Sequence, residues 1–143
     1  MHIEQLDLIA YGPFSGTRLD FSSTGLHLVY GPNEAGKSSA LSALLDFLFG
    51  FPNRSLATFK HGSKQVRVGA TVRSQEQRFS LVRRKGRKDT LLTQAGDPVE
   101  ESLLQDVLGG VERQRFELEF GINYAQLVSG GRDLAAGKGD LAN

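Results

Sequence analysis

The hydrophobic pattern changes period along the chain, and the changes mark its elements. Residues 2–10, HIEQLDLIA, read as a first strand with Ile3, Leu6 and Leu8 as apolar points. The Gly and Pro content of Tyr11–Gly16 predicts a turn. Thr17–Phe21 then alternates, with Leu19 and Phe21 on one face, as a second strand. Ser22–Gly25 is another turn, and Leu26–Tyr30 a third, short apolar strand. From Lys37 the period becomes helical: Leu41, Leu44, Leu45 and Leu48 fall on one stripe, and Gly50 and Pro52 stop it. Phe47, Phe49 and Phe51 make that helix apolar on more than one side, which predicts burial between layers. After a polar loop at 53–64, Val66, Val68, Ala70 and Val72 alternate with neighbours that face away. Phe79 and Leu81 do the same beyond a turn at Ser74–Gln77, which predicts an antiparallel hairpin with one wet face. A turn at Lys85–Lys88 leads to a short strand, Thr90–Thr93. Asp97-Pro98-Val99-Glu100 has the form of a helix start, with Asp97 as N-cap, and the helix carries Leu103, Leu104, Val107 and Leu108 to Gly109-Gly110. A further helix is predicted over Glu112–Glu119, a brief extended piece at Gly121–Asn123 and a helical turn at Tyr124–Ser129. The last fourteen residues, GGRDLAAGKGDLAN, carry no core pattern and are expected to fray.

At the junction of the third strand and the first helix stands Gly31-Pro32-Asn33-Glu34-Ala35-Gly36-Lys37-Ser38-Ser39. It satisfies G-x-x-x-x-G-K-S, the phosphate-binding loop, in the required context of a strand before and a helix after. Glycines let the backbone close on a phosphate. Successive N–H groups form an anion nest, to which the helix adds its positive end. Lys37 can reach β- and γ-phosphates, and the Ser38 hydroxyl can take one position on Mg²⁺. Gly31, Asn33, Glu34, Ala35, Gly36 and Ser39 would line the phosphates mainly through backbone N–H groups. Ser39 reads equally as an ordinary hydroxyl of the first helical turn.

Composition changes this picture in two ways. The 143 residues contain no cysteine, which excludes disulfides and thiolate metal sites, and three scattered histidines argue against zinc. No signal peptide and no apolar run of membrane-spanning length is present, so a cytoplasmic protein with no membrane contact is expected. The formal charge of +1 conceals an asymmetry. Between Arg54 and Lys88 eleven Lys/Arg stand against Glu76 alone, leaving six Lys/Arg against fifteen acids elsewhere. The basic hairpin, with Arg67, Arg73, Arg78, Arg83, Arg84, Lys85, Arg87 and Lys88, is therefore a second candidate site, for salt-dependent contact with duplex DNA phosphates. A solvated basic face is the alternative.

The stretches AYGPF, YGPNEAGKSS and Phe116-x-x-x-Phe120-Gly121-Ile122-Asn123…Leu127…Gly130-Gly131-Arg132 resemble the ATP-binding head of ABC-type, SMC-like recombination and repair ATPases. The resemblance is closest to the YhaN-like AAA-domain proteins of bacteria and covers essentially the whole chain. It implies an α/β P-loop NTPase fold, the N-terminal lobe of a head: a mixed sheet carrying the phosphate loop, with an antiparallel hairpin layer. It implies ATP and Mg²⁺ as cofactors, and as partners the chain's own C-terminal lobe, a second head in a homodimer, duplex DNA and a nuclease. The turn after the first strand would approach the nucleotide through Phe14, unless Phe14 simply fills the core of a tight turn. A metal-completing, γ-phosphate-sensing glutamine maps onto Asn123, with Gln126 the nearest actual glutamine; Asn123 reads equally as a helix N-cap.

The sequence departs from the complete family pattern in one respect. No four apolar residues precede Asp-Glu, so the carboxylates that complete the Mg²⁺ shell and activate water are absent, and no catalytic residue is assigned. Val128-Ser129-Gly130-Gly131-Arg132 resembles a signature motif, but too little sequence follows it for the required strand. The expectation is an ATP-binding lobe at residues 1–129 and a flexible tail at 130–143 leading toward an absent coiled coil, with turnover requiring the C-terminal lobe. Two other classes remain open: a small P-loop kinase, and a nucleotide-independent DNA-binding module. No kinase lid is evident, nor the N-K-x-D guanine motif a GTPase would need.

Overall fold

In the computed structural model, which describes residues 1–32, 36–55, 58, 60–121 and 124–137, the first apolar alternation becomes β1 (His2–Tyr11). β1 turns through Gly12 and Pro13 into β2 (Phe14–Asp20). Tyr11 pairs with Phe14, so the turn expected over six residues closes in two, and Gly12 takes φ 53°. That angle suits a tight hairpin and a residue without Cβ.

β3 (Arg67–Ser74) and β4 (Gln77–Arg84) form the expected hairpin, and β5 (Leu91–Thr93) follows. All five strands make one sheet in the order β2-β1-β3-β4-β5. Every pairing among the described residues is antiparallel. This corrects the expectation of a mixed sheet with a separate hairpin layer. β3 is the middle strand, hydrogen-bonded to β1 on one edge and β4 on the other. Its residues Val68–Val72 are consequently buried one after another, and the wet face expected of them is absent. The residues turned away from the core are small or short: Gly69, whose added Cβ would lie 3.5 Å from Ile9 Cδ1, and Thr71, which meets the Ser80 hydroxyl at 3.0 Å.

A second correction concerns Leu26–Tyr30. These residues belong to no strand; Leu26 is 97% and Tyr30 84% exposed. Apolar alternation confers propensity, but a strand also needs a partner for its backbone groups, and among the described residues no strand pairs with it.

α1 (Lys37–Phe49) runs where the sequence places it, between Gly36 and Gly50. Its buried arc is Ala40, Ala43, Leu45, Asp46, Phe47 and Leu48, whereas Leu41, expected on the core stripe, is exposed. The arc is set by what α1 packs against: Leu6, Leu8 and Tyr11 of β1, Val68, Ala70 and Val72 of β3 and Leu81 of β4 are the buried apolar residues of the strands it contacts. Two polar ties fix the helix. The Tyr11 hydroxyl donates to Asp46 at 2.6 Å, fastening β1 to α1. Arg83, 1% exposed, donates through Nε to the Phe47 carbonyl at 2.9 Å. Its other nitrogens reach the Thr90 hydroxyl at 3.0 Å and the Glu101 carboxylate, with Nη2–Oε2 at 3.0 Å.

α2 (Ser102–Val107) starts five residues after the expected N-cap. Asp97–Val99 instead extends the sheet. The Asp97 carbonyl accepts from Thr93, Pro98 bridges Leu92, and Val99 donates to Leu91 at 2.8 Å. Gly96, at φ 95°, supplies the turn back. The remaining helices are α3 (Arg113–Glu119) and α4 (Tyr124–Ala135). α4 continues through Gly130 and Gly131 and is twice the length expected for the turn at 124–129, with Arg132 in its last turn, where a cation suits the helix dipole. The chain divides into two compact units, Met1–Gly110 and Val111–Asn143. No helix among the described residues is long and apolar enough to cross a membrane.

Candidate functional site

The phosphate-loop motif leads into α1, which rests on the sheet. Gly36 takes φ 88°, and its carbonyl accepts the first helical bond, from Ala40 at 2.9 Å. A left-handed residue here stands at the helix N-terminus, where the first N–H groups lack intrahelical acceptors. Lys37 Nζ donates to the Gly31 carbonyl, so the ammonium ties the last residues of the motif back to its first. Ser38 follows on the exposed side of the first turn, and Ser39 is half-buried. Asn33, Glu34 and Ala35 lie outside the described residues.

The structure brings Phe14 to this loop. A Cβ added to Gly36 would lie 2.5 Å from Phe14 Cζ and 2.9 Å from Cε2. Gly36 is thus required twice: by its backbone angle and by the aromatic edge against it. The β1–β2 turn that carries Phe14 is held by two residues that the sequence left in an unassigned polar loop. His61 Nε2 lies 2.7 Å from the Phe14 carbonyl and 3.5 Å from the Ser15 hydroxyl. Lys60 Nζ donates to the Pro13 carbonyl at 3.2 Å. Nothing local in the sequence signals these contacts, which join residues 46 and 47 positions apart.

The metal candidates divide. Ser38 stands at the α1 N-terminus. Asn123 lies outside the described residues, and of Gln126 the structure describes only its place in α4. Among the described residues no three His, Cys, Asp or Glu side chains cluster closely enough to hold a metal ion. Among the described residues the Ser38 hydroxyl is the candidate donor at the loop, which fits Mg²⁺ held mainly by phosphate oxygens and water.

The basic hairpin is largely engaged with the protein itself. Arg83 is removed from the expected DNA-contacting set, because it is buried and bound to Glu101. Arg73 and Arg78 both pair through Nε with the nearly buried Glu4, at 2.7 and 2.6 Å, while keeping more than half of their side-chain surface exposed. Arg84 closes its own turn on the Lys88 and Asp89 carbonyls at 2.7 and 3.1 Å. Lys85 Nζ donates to the Pro52 and Asn53 carbonyls. Arg67 donates to the Lys64 and Val66 carbonyls, and burial, with the Arg84 charge beside it, lowers its guanidinium below the ordinary value. Arg87 and Lys88 are exposed at the tip of the β4–β5 turn.

Comparison with known proteins places this geometry. Residues 1–143 match the AAA domain family. YhaN of Bacillus subtilis (strain 168) is 29% identical over 123 residues, which cover 82% of this chain. The chain spans only 12% of YhaN's length. A solved structure from work on ATP-driven dimerization and DNA-stimulated activation of SMC ATPases superposes with a TM-score of 0.60 over 92% of both chains, at 15% identity. At that identity the likeness is one of fold.

Proposed function

Since the chain belongs to the AAA domain family, we propose that it binds ATP with Mg²⁺ through Gly31–Ser39. The observation that carries this reading is the junction at Gly36: a left-handed glycine opening α1, with Lys37 Nζ folded onto Gly31 across the motif. Lys37 supplies the positive charge for the β- and γ-phosphates. The backbone of the motif, including Asn33, Glu34 and Ala35, supplies N–H donors. The Ser38 hydroxyl is this chain's ligand to Mg²⁺, which when bound offsets phosphate charge. Asn123 or Gln126 would complete the metal shell and sense the γ-phosphate. Ser39 has a supporting place in the first turn, and Phe14 acts from behind Gly36.

Hydrolysis needs carboxylates that this sequence does not contain. We assign them to a C-terminal lobe in a longer protein, on the scale of YhaN, in which two heads close on ATP as a Mg-dependent ATPase. The exposed Leu26–Tyr30 segment supports this reading, since it offers unpaired apolar backbone beside the phosphate loop for that lobe to cover. The same reading links ATP use to DNA repair, recombination or chromosome maintenance. DNA contact then falls to Arg87 and Lys88, with Arg73, Arg78, Arg84 and Lys85 behind them.

Titration of the chain with ATP and GTP in the presence of Mg²⁺ tests the proposal. Saturable binding of ATP that is lost in Lys37→Ala is expected; equal behaviour of the two proteins would refute it. For the DNA reading, the joint substitution of Arg87 and Lys88 by Ala is expected to lower the slope of log affinity against log salt for duplex DNA by about two. Absence of binding at low salt would remove DNA from the proposal.

A further inference from the structure

Resting on the nucleotide-binding reading, we infer that His61 is a positioning residue for the phosphate loop, acting through Phe14. The path consists of two contacts and one backbone angle. His61 Nε2 lies 2.7 Å from the Phe14 carbonyl. A carbonyl only accepts, so Nε2 carries the proton and the bond has a defined direction. The Phe14 ring packs against Gly36, close enough that a Cβ there would meet Cζ at 2.5 Å. Gly36 at φ 88° sets where the first N–H groups of α1 point. Lys60 Nζ on the Pro13 carbonyl, at 3.2 Å, is a second and more exposed strap on the same turn.

The physical need for such a clamp is clear from the fold. A left-handed glycine has little intrinsic preference among its allowed regions, so something outside it must select the conformation. The segment entering the loop, Leu26–Tyr30, belongs to no strand and gives it no sheet support. The β1–β2 turn does come from the sheet, and Phe14 is the residue it presents to Gly36. His61 fixes that turn through the Phe14 carbonyl. Preorganised N–H donors bind an anion without first having to be ordered, so loosening the clamp weakens phosphate binding while Lys37 and Ser38 stay intact.

Two measurements on the 143-residue chain test this. The first is hydrogen exchange in the absence of nucleotide. His61→Ala is expected to speed exchange at the Ala40 amide, which donates the first helical bond of α1 to the Gly36 carbonyl, and to leave the Asp46–Phe49 amides protected. Unchanged exchange at Ala40 would overturn the clamp whatever ATP does. The second is Mg-ATP affinity, where His61→Ala is expected to weaken binding about three- to tenfold, the scale of one net hydrogen bond. His61→Gln, which retains an N–H donor, is expected to restore most of that loss. In a Phe14→Ala background His61→Ala is expected to add nothing, because both act along one path. Additive losses, or no rescue by Gln, would overturn the inference. A wild-type chain that binds no ATP would overturn the nucleotide reading, and with it any role of His61 in binding.

Discussion

Gly36 shows how much one residue decides here. Any side chain at this position faces both the cost of φ 88° and the edge of Phe14. Gly36→Ala is therefore expected to lower Mg-ATP affinity by more than about tenfold, and calorimetry against wild type checks this. Phe14→Leu in the same protein is expected to recover part of the loss by clearing the contact. Lys37 shows the limit of a motif: its spacing announces a phosphate ligand, but not that the ammonium ties back to Gly31. Arg83 shows the opposite limit, because it stands in a basic run yet is buried at 1% exposure. Asp20 gives a pH-dependent check. Hydrogen bonds from Ser22 hold its carboxyl below the ordinary 3.8. A folded value below the unfolded one means that its contribution is complete above the ordinary value and is lost as the pH falls below it. The Tm difference between wild type and Asp20→Asn is accordingly expected at pH 6 and should shrink at pH 3.

Among the elements, α1 is held by both ends of the core network, Tyr11–Asp46 and Arg83–Phe47. Glu101→Ala would leave a buried guanidinium with only neutral acceptors. A loss of about 2 kcal/mol in urea unfolding is expected, on the low side for a buried pair because Glu101 is half exposed. Arg83→Met removes the buried charge altogether and is expected to cost less; a larger cost than Glu101→Ala would contradict this account of the network. The strands and helices with strong local patterns were legible in the sequence: β1, α1, the β3–β4 hairpin, β5 and α3 lie where the periodicity places them, and β2 begins three residues earlier, at Phe14. Three features were not, each for a physical reason. Strand order depends on partners distant in sequence, so nothing local says that β3 sits between β1 and β4. Asp97-Pro98 has the chemistry of a helix start, but a turn at Gly96 folds it onto β5 first. Leu26–Tyr30 has the alternation of a strand, but among the described residues no strand pairs with it. The candidate site divides in the same way, since Gly31, Lys37 and Ser38 follow from spacing, whereas Lys60 and His61 reach the loop only through tertiary contact.

At the scale of the molecule, Leu26, Leu28 and Tyr30 are all more than three-quarters exposed. Such a segment invites association with another chain. Sedimentation at increasing concentration is expected to show self-association that Leu26→Ser with Leu28→Ser reduces; monomer throughout would contradict it. The charge map adds a second trait, a basic middle between acidic flanks, which biases encounters toward polyanions without naming one. Both traits matter less than the loop at Gly31–Ser39, on which the functional reading rests. The most direct measurement is isothermal titration of Mg-ATP into the chain and into Lys37→Ala under identical conditions. Saturable binding by the wild type, abolished in the variant, is the expected result. No binding by the wild type, or equal binding by both, would contradict the assignment of this chain as an ATP-binding lobe.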